Sequence, residues 1–265
     1  MKSNFPKLVA ALAAAAVSLT LATASPAGAQ TAPPPRGLGA VLGSLLRGGA
    51  TTPAPPPAPA PMPTPAPTPA PYSATAGPPA SSGPATPQAV EQHLADLRYV
   101  VGPIDGNIDD DSASGIMAFQ KVNGLPRTGE LTGDVAAAIM GASGFPTPLV
   151  PNPDVNKVEV DLTRQVLFLY EGGSLSKIIP VSSGKASTPT PTGSYTVIRR
   201  AKGWETSDLG RLYNSQYFVG GYAIHGSPSV PNYPASHGCI RIPMSVAEWF
   251  PDHVALGTPV YVLGG

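Results

Sequence analysis

From residue 30 to about 85 the chain is built mainly from Pro, Ala, Thr and Gly, as in Pro53-Ala54-Pro55-Pro56-Pro57-Ala58-Pro59. Such a tract buries too little apolar surface to offset the entropy of ordering it, so any fold must form outside it. It favours an extended polyproline conformation and reads as a semi-rigid spacer. An apolar patch from Leu38 to Leu46 interrupts it, and nothing in the sequence explains that patch. Ahead of the tract, residues 1–29 have the layout of an export signal. Lys2 and Lys7 supply the positive start, Leu8 to Ala24 the apolar region and Ala27-Gly28-Ala29 a small-residue cleavage site. Ser18, Thr20 and Thr23 break up the apolar run, which favours a cleaved signal over a membrane anchor. No later segment is apolar enough to span a bilayer. The expected location is outside the cytoplasm, in the periplasm or cell wall.

Beyond the tract the hydrophobic period is first helical. Thr86 can cap a helix with Pro87 at its first position, and Val90, Leu94 and Leu97 follow at helical spacing. Gly102-Pro103-Ile104-Asp105-Gly106 reads as a loop. A second helix is expected from Asp111 to Asn123, with Ile116, Phe119 and Val122 on one side and Gly124-Leu125-Pro126 ending it. Thr132 opens a third helix towards Met140. Residues 86–141 thus form a three-helix unit, at about 55 residues near the lower limit for independent folding. Asp109-Asp110-Asp111 are read as capping the second helix and favouring its start electrostatically, not as a metal site.

Residues 142–155 form a second linker, and after it the period changes to alternation. Val158, Val160 and Leu162 alternate with polar neighbours. Val166-Leu167-Phe168-Leu169-Tyr170, a Gly172-Gly173 turn and Ile178-Ile179-Pro180-Val181 follow. Tyr195 to Ile198, Tyr222 to Ile224 and Val260 to Leu263 add strands. Short strands separated by Gly and Pro indicate a sandwich-like or barrel-like β domain over residues 156–265. One late helix is expected, with Ser245 and Glu248 as a capping box before Trp249 and Phe250.

The chain holds one cysteine, Cys239, and it lies in the run Ser236-His237-Gly238-Cys239-Ile240-Arg241. An exported protein usually pairs its cysteines, so a single one beside histidines reads as a reactive thiol. A neighbouring imidazole can take the thiol's proton. The strand Tyr222-Ala223-Ile224 delivers His225 at its end, and the Gly- and Pro-rich segment from Gly226 to Ala235 must loop out and return the thiol to it. Ser227 is placed to orient His225 as the third group of a triad. Tyr213, Asn214, Trp204 and Tyr233 fall in Gly- and Pro-bounded loops where a substrate wall would form. Net charge is zero and no basic stripe is present, so nothing points to nucleic acid. Four histidines and one cysteine without zinc-ligand spacing leave no basis for a metal or other cofactor.

Residues 156–263 resemble the L,D-transpeptidase catalytic domain. The resemblance rests on His225-Gly226, on Ser236 to Arg241, and on Pro180-Val181-Ser182-Ser183-Gly184-Lys185 followed by Thr190-Pro191-Thr192-Gly193. The loop after His225 is shorter than in many members, and Arg241 stands where some carry Asn. Residues 86–141 resemble a peptidoglycan-binding domain through Asp105-Gly106, Phe119-Gln120, Gly124-Leu125 and Thr128-Gly129. There Asp109-Asp110-Asp111 replaces the usual Gly after the loop.

The resemblance implies an exported cell-wall enzyme acting on peptidoglycan stem peptides. Cys239 would attack the carbonyl ahead of a terminal D-alanine, His225 would serve as base and then acid, and His237 would tune the thiol or hold the loop. The amides of Gly238 and Cys239 would stabilise the oxyanion. Ser236, Tyr233 and Arg241 would contact substrate, Arg241 through a stem carboxylate or else paired with an acid of the fold. An amine acceptor would give a cross-link and water a carboxypeptidase or endopeptidase. A wall-binding protein without activity is the reading from another class. Carbapenems are expected to acylate Cys239.

Overall fold

The computed structural model describes residues 74–75, 77–151 and 156–264. The expected export signal, the Leu38–Leu46 patch, most of the proline-rich tract and residues 152–155 lie outside them.

Three helices form where the apolar spacing places them. α1 (Pro87–Asp96) is capped by Thr86, whose hydroxyl accepts the Ala89 N–H, and Pro87 occupies a first-turn position where no N–H is needed. α2 (Asp110–Asn123) begins one residue ahead of expectation because Asp109 is its cap, accepting the N–H groups of Asp111 and Ser112 at 3.0 and 2.8 Å. Gly124 ends it in the left-handed conformation. α3 (Gly133–Gly141) starts from Thr132. A two-residue strand, β1 (Ala74–Thr75), pairs antiparallel with β2 (Phe145–Pro146) beyond α3.

Two five-stranded sheets follow. The first has the order β5 (Ser174–Pro180), β4 (Val166–Glu171), β3 (Lys157–Asp161), β12 (Pro259–Leu263) and β6 (Gly193–Thr196). Gly172 and Gly173 join β4 to β5 with φ of 56° and 76°, the left-handed pair a tight hairpin needs. The second sheet runs β11 (Ile240–Ile242), β10 (Tyr222–Gly226), β9 (Gly210–Val219) and β7 (Arg199–Arg200), with β8 (Trp204–Ser207) also paired to β9. Their facing residues, among them Val160, Leu167, Leu169, Phe218, Ile224 and Ile240, form one core. The architecture is therefore the expected helical unit followed by a β-sandwich.

The apolar run of β4 serves two cores at once. Leu167 and Leu169 point into the sandwich, while Val166, Phe168 and Tyr170 join the core of the helical unit with Val90, Leu94, Ile116, Phe119 and Ile139. Burying each such side chain contributes about 1.5–3 kcal/mol, so the helices complete their core on the sheet's outer face. Main-chain bonds reinforce this docking: Ile178 N–H donates to Arg98 O and Val100 N–H to Ile178 O. The small size of the helical unit is offset by this shared core.

Two local expectations are corrected. Trp204, Tyr213 and Asn214, expected in loops, lie on the β8–β9 hairpin; polar neighbours hid the strand period because much of the ribbon around them is exposed. The capping box does not form. α4 (Met244–His253) starts from Pro243 without a side-chain cap, Ser245 donates its hydroxyl to Asp111 on α2, and Glu248 accepts the Tyr213 hydroxyl.

Candidate active site

His225 lies on, and Cys239 directly precedes, a parallel strand pair. β10 and β11 align Ile224 with Ile240 and His225 with Arg241. Ile224 and Ile240 face the sandwich core, so period-two alternation turns His225 and Arg241 to the opposite face. Cys239 lies in the bend directly before β11, where its thiol reaches the Gly221 carbonyl just ahead of β10. The Arg241 charge acts on both His225 and Cys239.

The loop carrying Cys239 is fastened from within and from outside. Ser236 is buried; its hydroxyl donates to Cys239 O at 2.6 Å and accepts Gly238 N–H at 2.9 Å. From outside comes the segment after β5. Ser182 exchanges both main-chain bonds with Arg241, and Ser183 O accepts the N–H groups of Ala235 and Ser236. Thr190 accepts Gly184 N–H and donates to Gly238 O at 2.7 Å. The two upstream motifs are thus the cradle of the cysteine loop. Glycine is required twice: Gly238 has φ of 116° with the Tyr222 ring against it, and a side chain on Gly184 would run into Thr190 N and Gly238 Cα.

Burial shapes the titration of both reacting groups. The His225 Nδ1 lies 2.9 Å from Gly226 O; a carbonyl only accepts, so Nδ1 holds the proton and Nε2 keeps its lone pair. Burial pulls the imidazole below its ordinary pKa, with the Gly226 carbonyl opposing and the Arg241 charge adding to the fall. Burial pushes the Cys239 thiol up, partly offset by the Ala223 amide and by Arg241. Near neutral pH the resting pair is therefore a thiol and a neutral imidazole. The thiol donates weakly to Gly221 O at 3.8 Å.

The remaining expected residues divide. Arg241 is half-buried beside both reacting groups, and among the described residues no carboxylate pairs with it. His237 is exposed and makes no hydrogen bond within the described residues. Three expectations are corrected. Ser227 does not orient His225: its hydroxyl donates to Ser229 O, and Gly226 O holds the imidazole instead. The Gly238 N–H is engaged by Ser236, and Ser236 is buried with its hydroxyl proton given to Cys239 O, so neither is presented to a substrate. Tyr233 is exposed, with its carbonyl accepting the Ser182 hydroxyl. Trp204 and Tyr213 pack against each other at 5.0 Å, with Arg211 over Trp204, and Asn214 is buried, bonding Ala247 O and Gly203 N–H.

Tyr222 was not singled out. Simple alternation would have sent it into the core with Ile224, but a bulge between Tyr222 and Ala223 turns it out against Gly238. The sequence signal was the Gly220-Gly221 pair ahead of it.

Among the described residues no group of His, Cys, Asp and Glu is arranged to hold a metal ion. No helix of the described residues is long and apolar enough to cross a membrane.

Comparison with known proteins bears on the whole of this arrangement. Residues 156–262 match the L,D-transpeptidase catalytic domain, and residues 85–139 match a peptidoglycan binding domain. L,D-transpeptidase 2 of Mycobacterium tuberculosis is 30% identical over 148 residues, 49% of this chain and 36% of that protein. L,D-transpeptidase 1 of the same species is 32% identical over 122 residues, 39% of this chain and 48% of that protein. The chain thus spans between about a third and a half of these curated relatives. The crystal structure of an L,D-transpeptidase from Xylanimonas cellulosilytica is 34% identical with a TM-score of 0.61, covering 76% of this chain and 100% of that one. A match that takes in helices and sandwich together, over the full length of a solved relative, shows that the chain belongs to the L,D-transpeptidase family.

Proposed function

We propose that the chain cross-links peptidoglycan stem peptides by L,D-transpeptidation outside the cytoplasm. One observation carries this reading. An imidazole with a free Nε2 is paired in register with Arg241, a guanidinium without an acidic partner whose charge also acts on the thiol just ahead of β11.

Cys239 gives its proton to His225 Nε2 as its sulfur attacks the carbonyl between the third stem residue and the terminal D-alanine. Because the thiol's own pKa is raised and the imidazole's lowered, proton transfer accompanies attack; no thiolate is stored beforehand. The tetrahedral intermediate collapses as His225 returns the proton to the departing amine, leaving a thioester. An acceptor amine then attacks the thioester, its proton passes to His225, and the sulfur leaves as the thiol. With Gly238 N–H held by Ser236, the Cys239 amide is the main-chain donor left for the oxyanion. Arg241 attracts a stem carboxylate, and its charge also favours the thiolate character that develops in the attack.

The helical unit holds the enzyme to its polymer, and a carbapenem acylates Cys239 by presenting a strained carbonyl in place of the donor amide. The signal-like residues 1–29 support export.

Incubation of the purified chain with stem tetrapeptides, read by mass spectrometry, tests this. A cross-linked dimer lacking one D-alanine is expected. Tripeptide alone would make the chain a carboxypeptidase, and unchanged substrate would overturn the reading.

A further inference from the structure

Lys121, on the last turn of α2, is fully buried, and its Nζ donates to Val181 O at 2.8 Å. No carboxylate pairs with it among the described residues, and the charge acting on it is that of Arg127, of the same sign. An ammonium in such a place is unfavourable, whereas a methionine would fill the same volume without a buried charge. Burial holds its pKa well below the ordinary lysine value, and Arg127 adds to the fall. The contribution that a methionine could not make here is the hydrogen bond to the Val181 carbonyl.

The carbonyl it holds belongs to the cradle of the cysteine loop. Val181 N–H is fixed by Gln165 O, so both main-chain groups of that residue are tied down. Ser182 then pairs with Arg241, Ser183 with Ala235 and Ser236, and Gly184 with Ser236. Arg127, in the turn after α2, reaches Asn232 O and Thr163 O, and its own carbonyl accepts Asn232 Nδ2 at 2.6 Å. The segment following His225 is therefore gripped from the same helix end.

We propose that Lys121 is a positioning residue: from the helical unit it fixes the Val181 carbonyl, and so sets the strand segment on which the Cys239 loop hangs. This rests on the proposed reaction of Cys239 and deepens it. The helical unit then has a part in the chemistry as well as in holding polymer. Small misplacements of reacting atoms caused by distant substitutions can lower rates by an order of magnitude or more.

The test uses the full chain with Lys121→Met. Backbone amide shifts of Gly184, Ser236 and Gly238, none of which hydrogen-bonds Lys121, are expected to move. Acylation of Cys239 by a stem tetrapeptide is expected to fall about ten-fold in kcat with KM unchanged. The melting temperature should change little, because removing the buried amine is offset by leaving the Val181 carbonyl without its donor. Lys121→Arg, which keeps a cationic donor, should recover most of the rate. Should Lys121→Met fail to fold, Lys121→Gln carries the same comparison against Lys121→Arg. Shift changes confined to α2 and Val181, or a wild-type rate in the neutral variant, overturn the inference. If the cradle amides move as expected while the wild-type chain forms no acyl-enzyme, the positioning role stands and the proposed reaction fails.

Discussion

The two sheets share one core but use their outer faces differently. On the first, three helices cover Val166, Phe168 and Tyr170, and the polar residues of β3 are matched: Lys157 pairs with Glu159 at 2.9 Å, and Asp161 with Arg164. On the second, the outer face carries His225 and Arg241, with Cys239 just ahead of β11, and burial leaves them mismatched: thiol raised, imidazole lowered, guanidinium without an acid. On β3 the charged side chains find their partners within the fold. Where partly buried groups are left short of partners, the missing partner is a substrate.

The largest expected effect breaks the second face alone. Cys239→Ala should abolish acylation, since no other thiol exists in the chain, while changing stability by less than about 1 kcal/mol. Intact-protein mass after carbapenem treatment should show one adduct on the wild type and none on the variant. An adduct on the variant would place the nucleophile elsewhere.

The opposite separation comes from the first face. Phe168→Ala removes a ring buried between β4 and the helices and should cost about 3–5 kcal/mol, lowering Tm by roughly 6–20 °C. Acylation per folded molecule should stay near wild type. A cost under about 1 kcal/mol would mean the helices add little to the sheet.

How far these faces were visible in the sequence depended on how local their causes are. Thr86, Asp109 and Thr132 act within one turn, and all three cap as expected. The return of the chain to pair beside His225 was readable because a strand end and a Gly- and Pro-punctuated loop dictate it. The two-sided burial of β4 was written in its unbroken apolar run, but which element covered the second face was not. Ser245 shows the limit most clearly. Its sequence context suits a cap, yet its hydroxyl goes to Asp111, a residue more than a hundred positions away. Likewise Ser236 looked like a substrate contact until its loop closed on it. Polar side chains choose partners in three dimensions, and a motif records only that a polar group is needed.

A smaller effect tests whether the faces communicate. Thr190 is buried between the cradle and the cysteine loop, accepting Gly184 N–H and donating to Gly238 O. Thr190→Val keeps the shape and leaves both groups unsatisfied, at a cost of about 1–3 kcal/mol. Acylation should slow as well, because Gly238 sits beside the nucleophile. Lost stability with full activity would show that the loop holds its geometry without this bond.

The smallest effect concerns Arg241 and is read through pH. A nearby cation disfavours the imidazolium and favours the thiolate, so Arg241 lowers the pKa of both His225 and Cys239. In both cases burial is the larger cause, and it remains after substitution, so Arg241→Gln should move each value only modestly, and upwards. The acid limb of acylation, set by loss of the neutral imidazole as pH falls, should shift to higher pH. Alkylation of Cys239 by iodoacetamide requires the thiolate and needs no stem carboxylate, so it reports the thiol apart from substrate binding. Its rise should also move to higher pH in the variant. Shifts in the same direction at both groups would show one charge acting on a shared face. Opposite shifts, or a shift at only one, would mean that Arg241 touches a single partner and that His225 and Cys239 do not lie within one field.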